Sequence, residues 1–380
     1  MTLSRRKTLA LLGGGTILAA SAVAGYTLTR PLERALEPWE AAGGYRDPRM
    51  RALSWAILAP NPHNRQPWLI DLSRPDTAIL HVDTNRLLPH TDPFSRQIVI
   101  GLGCFLEVMR MAALQDGFAV DAELFPEGES VTELDGRPVA ICRFRPTNAA
   151  PDPLFAAVPD RRSLKEPYDT ARPVPASAID TLRAAVIHGT RAGGTVAEAD
   201  VAEMRSLSHE ALRIEIETPR TYRESVDLFR IGRREVEANP DGIDFSGPAF
   251  EAMARTGLFS REVALDTSSV AYRQGLAAVF ANADTAMGFV WLVSAQNTRS
   301  DQIAAGRDWV RVNLAATMLG IGTQPMSQAL QEYPEMAGLY AGIHDRLAPD
   351  GATVQMWARL GYGPQVGPSP RWTLEEKLVG

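Results

Sequence analysis

Apolar residues recur along the chain at two periods. Helical spacing runs through residues 97–115, up to Gly117, and again through 301–319, predicting two long amphipathic helices. Shorter helices are predicted over 51–58, stopped by Pro60 and Pro62, and over 175–186, where the opening proline suits a first turn. Alternating or nearly continuous apolar runs predict strands at 68–72, 78–82, 121–125, 139–144, 286–295 and 354–360, with 286–295 central in its sheet. Arg- and Glu-laced stretches at 200–216 and 222–237 read as solvated helices, and the Gly- and Pro-containing residues 239–247 break the helical pattern after them.

Helices and strands mixed in this order define an α+β chain. Its first unit spans 49–150, Pro-rich residues 146–159 mark a crossing, and a second unit spans 151–380. Both units share an order of helix, strands, long helix and strand, which is compatible with internal duplication. Residues 1–25 differ: Ser4, Arg5, Arg6 and Lys7 precede an uncharged apolar stretch that ends in small residues, the layout of an export signal or anchor. The paired arginines resemble a twin-arginine signal, whose machinery carries folded proteins, so an exported protein of the periplasm or cell envelope is expected, membrane-anchored if the signal is uncleaved. Residues 26–48 read as a linker.

Composition narrows the function. Among 380 residues, 45% are hydrophobic and 22% charged, with a net charge of −6, so a large core is available and no positive field exists to gather nucleic acid. Cys104 and Cys142 lie in apolar runs and are expected as buried, inert thiols. Six histidines show no zinc spacing, and no metal is expected. Gly101-Leu102-Gly103 lacks the third glycine of a dinucleotide fingerprint.

Four segments carry candidate chemistry. In the first, Asn61, Asn64 and Gln66 stand among prolines ahead of Pro67-Trp68, and the amides of Asn64 and Gln66 both donate and accept, matching a heterocycle with alternating C=O and N–H edges. Second, Arg161, Arg162, Ser163 and Lys165 offer cations and a hydroxyl suited to phosphate. Third, Gly320 and Gly322 end a long helix before Pro325, Met326 and Ser327, leaving main-chain amides for a ligand. The fourth is Arg371, ahead of Trp372 and Glu375-Glu376.

Together these segments resemble the FMN-dependent nitroreductase family. Asn64-Arg65-Gln66-Pro67-Trp68 is similar to its Asn-x-Gln-Pro-Trp signature, and Pro62-His63-Asn64 resembles the Acg-type branch of long chains regarded as two fused halves. The resemblance implies one FMN between the halves, with Asn61, Asn64, Gln66 and Pro67 toward the ribityl and pyrimidine parts. Arg161, Arg162, Ser163, Lys165 and Arg371 fall toward the phosphate, and Pro325, Met326 and Ser327 near flavin N5 and O4. It further implies a monomer with hydride transfer from NADH or NADPH to a nitro compound or quinone, no catalytic side chain being required. Residues 239–260, with Phe245, Phe250 and Phe259, are expected as a lid, and a covered flavin would make the protein a non-catalytic FMN binder.

Overall fold

The computed structural model describes residues 32–380, so the expected signal at 1–25 lies outside the described residues. In chain order the first unit contains α1 (Glu37–Ala41), α2 (Pro48–Ala56), β1 (Trp68–Asp71), β2 (Thr77–Val82), α3 (Arg96–Gln115), β3 (Phe118–Leu124) and β4 (Ala140–Pro146). Next come α4 (Ala176–Ala184), β5 (Arg191–Thr195), α5 (Glu198–Glu217), α6 (Pro219–Asp227), β6 (Phe229–Ile231), α7 (Arg233–Ala238), β7 (Ile243–Phe245), α8 (Pro248–Arg255), α9 (Arg261–Leu265) and α10 (Val270–Asp284). The last elements are β8 (Gly288–Ser294), α11 (Arg299–Met318), β9 (Gly322–Pro325), α12 (Ala337–Leu347), β10 (Thr353–Gly361) and β11 (Leu378–Val379).

Two antiparallel meanders share one plan. The first sheet runs β1-β2-β4-β3 with α3 between β2 and β3, and the second runs β5-β8-β10-β9 with α11 between β8 and β9. β11 adds a parallel strand beside β1, pairing Leu378 with Ile70, so the chain's end closes the sheet of its own first unit. β8 is buried at all but Trp291, as expected of a central strand.

The long helices meet at glycines. A Cβ on Gly103 of α3 would stand 2.3 Å from the Ile303 carbonyl oxygen, and one on Gly306 of α11 would stand 2.0 Å from the Ile100 oxygen. Residues 203 apart thus meet reciprocally, and the same offset relates Arg96 to Arg299 at the two helix starts. Each helix is 20 residues long, and the Cys104 thiol donates to the Gly306 carbonyl at 3.1 Å. α3 is long and apolar enough to cross a membrane, yet it is buried, as the middle of a two-layer core must be. Cys104 and Cys142 are both buried and free.

Two expectations need correction, and one strand, β5, was not foreseen. The helix predicted over 222–237 is broken, because Gly232 at φ 80° turns the chain and Phe229–Ile231 pairs in parallel with β7 instead. β5 gave no apolar alternation since it is Arg-Ala-Gly-Gly-Thr; a Cβ on Gly193 would lie 2.2 Å from the Trp291 ring, so packing demands the glycine. Residues 32–48 do not behave as a linker: Ala35 and Pro38 are buried, and the Ala35 carbonyl accepts from the Arg371 amide at 2.8 Å.

Gly306→Ala is expected to lower stability by about 3 kcal/mol or more in denaturant unfolding, since backbone rather than a flexible side chain blocks the new methyl. A second expectation concerns Glu215 on α5, buried and accepting from Gln331 Nε2 at 2.8 Å, whose carboxyl is pushed up by burial to about 7. The folded state holds this proton where the unfolded chain has lost it. Stability therefore falls by about 3 kcal/mol as pH rises from the ordinary glutamate range through neutrality. Glu215→Gln should flatten that fall in melts recorded from pH 5 to 8.

Candidate anion and cofactor site

α2 begins properly and ends abruptly. Asp47 caps it through the Arg49 amide, Pro48 occupies its first turn, and Pro60 and Pro62 forbid its continuation, so the carbonyls of residues 57–59 have no helical partner. Arginines from the far end of the chain take them. Arg371 donates to the carbonyls of Ile57, Leu58 and Ala59 at 3.0, 3.2 and 3.3 Å, and Arg161 reaches Leu58 and the Asn313 side chain at 3.4 Å. The negative end of a helix suits cations.

These cations have no acid. Among the described residues Arg161, Arg162 and Arg371 form no ion pair; their partners are carbonyls, amides and the Trp39 ring, which lies 4.6 Å from the Arg162 guanidinium and 5.6 Å from that of Arg371. Burial, reinforced by mutual repulsion, pushes Arg161 down to about 10 and Arg371 down to about 9. Uncompensated buried charge costs several kcal/mol per ion.

Ser163 lies against β9. It bridges in parallel to Thr323, and the Leu164 amide donates to the Thr323 carbonyl at 2.9 Å, which sets the segment beside Pro325, Met326 and Ser327. Met326 is buried, its amide donating to the Trp357 carbonyl, and Ser327 opens a short 3-10 turn. Arg359 fixes the approach to Lys165 by donating to the Leu164 and Glu166 carbonyls at 3.2 and 2.7 Å. Lys165 is exposed and His63 half-buried. Loss of bulk water pushes Lys165 below the usual ammonium range and, with the nearby Lys165 and Arg65 charges, holds His63 at about 4.

The 61–66 loop is strained. His63, Asn64 and Gln66 have φ of 46, 52 and 50°, a left-handed conformation costing on the order of 1–2 kcal/mol each outside glycine. Asn61 Oδ1 holds the Gln66 amide at 2.7 Å. The side-chain amides of this loop serve the chain itself. Asn64 donates to the Pro370 carbonyl at 2.9 Å and accepts from Arg371; Gln66, fully buried, donates to the Pro240 carbonyl at 2.6 Å and accepts from the Trp372 amide at 2.9 Å. Asn64 and Arg371 therefore stand together, not at opposite ends of a ligand, because the chain's end folds back onto the loop. Pro67 leads directly into β1.

Sequence reasoning missed a clamp on this loop. Asp241, nearly buried, takes Arg65, Arg86 and Arg230 at 3.4, 2.5 and 2.7 Å, and the Gly242 amide donates to the Asn64 carbonyl at 3.4 Å. Its four members lie far apart in sequence, so no spacing announces them. Beyond the clamp, Phe229, Phe245, Phe250 and Phe259 pack ring against ring, with centroids 4.5–6.2 Å apart.

No protein-family model matches the chain. It is 35% identical over 75 residues to "Putative NAD(P)H nitroreductase acg" of Mycobacterium tuberculosis, in two strains, a stretch equal to 20% of this chain and 22% of that protein. The chain thus spans about a fifth of the length of the curated relatives it matches. Solved structures with partial likeness include a Bacteroides fragilis nitroreductase with bound FMN, at 13% identity over 59% of this chain and 95% of that one, TM-score 0.34. Another is the FMN-dependent nitroreductase NfnB of Mycobacterium smegmatis in complex with NADPH, at 17% identity over 57% and 92%, TM-score 0.34.

Asp241→Ala should leave Arg65, Arg86 and Arg230 without their shared acid. Limited proteolysis is expected to cut within 239–260 at least tenfold faster than in the parent, with the core fragments resistant; unchanged cleavage would show that the clamp does not hold this segment.

Proposed function

We propose that the protein is an FMN-dependent oxidoreductase of the nitroreductase type, built as two fused halves that enclose one flavin. The observation that carries this reading is the cluster of buried Arg161 and Arg371 with half-buried Arg162, which form no ion pair among the described residues. A phosphate dianion would supply the missing charge; Arg162 Nε and Nη2 make no hydrogen bond among the described residues and offer it paired donors, while Arg371, whose N–H groups are held by carbonyls and Asn64, adds its charge. The reciprocal glycine crossing and the matching order of the two sheets support duplication. Similarity to acg-named relatives supports the family.

In this reading Arg161, Arg162, Ser163 and Arg371 hold the phosphate. Asn64 sits at the same end, through Arg371, and Asn61 and Gln66 keep the loop in shape. Lys165 and the Ser327 amide face the ring, where a cation and a fixed donor favour an electron-rich state. Bound FMN would supply two-electron hydride chemistry, with NADH or NADPH as donor and a nitro compound or quinone as acceptor. His63 is neutral at pH 7 and gives no competing charge. Export by the twin-arginine route, after folding around the cofactor in the cytoplasm, accords with a site assembled from both ends of the chain.

One observation favours a second reading, a non-catalytic FMN carrier. The Asp241 clamp and the Gln66–Pro240 bond tie segment 239–247 across the strained loop, which would restrict a nicotinamide.

Purified protein should show a flavin spectrum, with FMN released on denaturation; a colourless protein that gains no absorbance from added FMN would refute both readings. Arg371→Ala should weaken FMN binding by tenfold or more. Stopped-flow mixing separates the readings: an oxidoreductase is reduced by NADPH or NADH, whereas a carrier responds to dithionite alone.

A further inference from the structure

The offset of 203 residues that relates α3 to α11 implies a second position equivalent to the arginine cleft. In the cleft, Ile57 follows the nine-residue helix α2, and its carbonyl accepts from Arg371 Nε at 3.0 Å. On the other side, Ala185 follows the nine-residue helix α4, and its carbonyl accepts from Arg311 Nε at 2.7 Å. Arg110 of α3 matches Asn313 of α11, the residue that Arg161 touches in the cleft. A surface recess of about 480 Å3 opens here, walled by Arg110, Leu114, Asp152, Leu154, Ala185 and Arg311.

Its charges do not cancel. Arg110, Arg307 and Arg311 surround the carboxylates of Glu107 and Asp152, three cations against two anions, with His188 beside Glu107. Arg110 spends Nε and Nη2, and Arg311 spends Nε and Nη1. That leaves Arg110 Nη1 and Arg311 Nη2 without a hydrogen bond among the described residues, on two side chains that wall the recess. Leu114, Leu154 and Ala185 provide an apolar face beside them.

We propose that this recess is a second binding site, for a small phosphomonoester with an apolar body. Phosphate oxygens would take the two spare guanidinium nitrogens, and the body would lie on the leucines. The carboxylate of Asp152 disfavours a ligand of higher charge. A flavin is not its occupant, since the counterpart of the Asn61–Gln66 loop here is 186–190, whose amides at Ile187, His188 and Thr190 are already held by Asp308.

This proposal goes beyond the flavin reading and does not require it. The test is calorimetric titration of phenyl phosphate into the full chain saturated with FMN, so that the arginine cleft is closed to the probe. One equivalent should bind. Thr181 is an exposed residue on the recess wall, so Thr181→Glu should raise the Kd at least tenfold without changing the melting temperature, and Ala184→Trp, also exposed, should do the same by filling space. Arg161→Ala should leave phenyl phosphate binding unchanged. No binding by the parent, an unaltered Kd in both recess variants, or loss of binding in Arg161→Ala would overturn the proposal. A protein that takes up no FMN yet binds one probe, sensitively to Thr181→Glu, would remove the flavin reading and keep this one.

Discussion

Two glycines set the architecture. Because Gly103 and Gly306 have no side chain, α3 and α11 approach until each backbone lies against the other, and every other layer is placed by that distance. One sheet packs on each helix, and the segments that leave the helix ends arrive where the opposite half begins. Arg161, held beside Asn313 of α11, meets Leu58 of the first unit across this crossing. A larger residue at either position would separate the halves and the site with them.

The same closeness creates an energetic conflict. Fold-back of the chain's end carries Arg371 under Trp39 and onto the open end of α2, while Arg161 arrives from the crossing segment, so like charges gather and form no ion pair among the described residues. Three left-handed residues hold the facing loop. Neither feature stabilises the protein alone. Both become intelligible if an anion with a polar ring completes the site, since an unfavourable arrangement persists when the surrounding fold over-determines it and a ligand makes use of it.

By contrast, the ionic cluster around Glu107 shows how the pseudo-equivalent region differs. There the acids are present, the Ala185 carbonyl is capped, and the loop amides are taken by Asp308. One chain thus holds a cationic cleft that forms no ion pair among the described residues and a recess in which three cations face two carboxylates. The asymmetry lies in these side chains and in the elements α5 to α10 that intervene between β5 and β8.

The apolar pattern alone determined the two long helices, strands β1 to β4, β8 and β10, and the α+β class, because period and punctuation are local properties of the chain. It also singled out the loop at 61–66, the arginines at 161–162 and Arg371, whose residue types are unusual where they stand. It misread 222–237, where the partner strand β7 overrides helical charge spacing, and it was silent on β5, whose glycines make sense only under Trp291. Only the tertiary structure decided that Asn64 and Arg371 meet, that Gln66 serves the fold, and that Asp241 gathers three arginines. Those pairings join residues up to 307 positions apart. Nothing local encodes them, since they arise from where packing brings the chain.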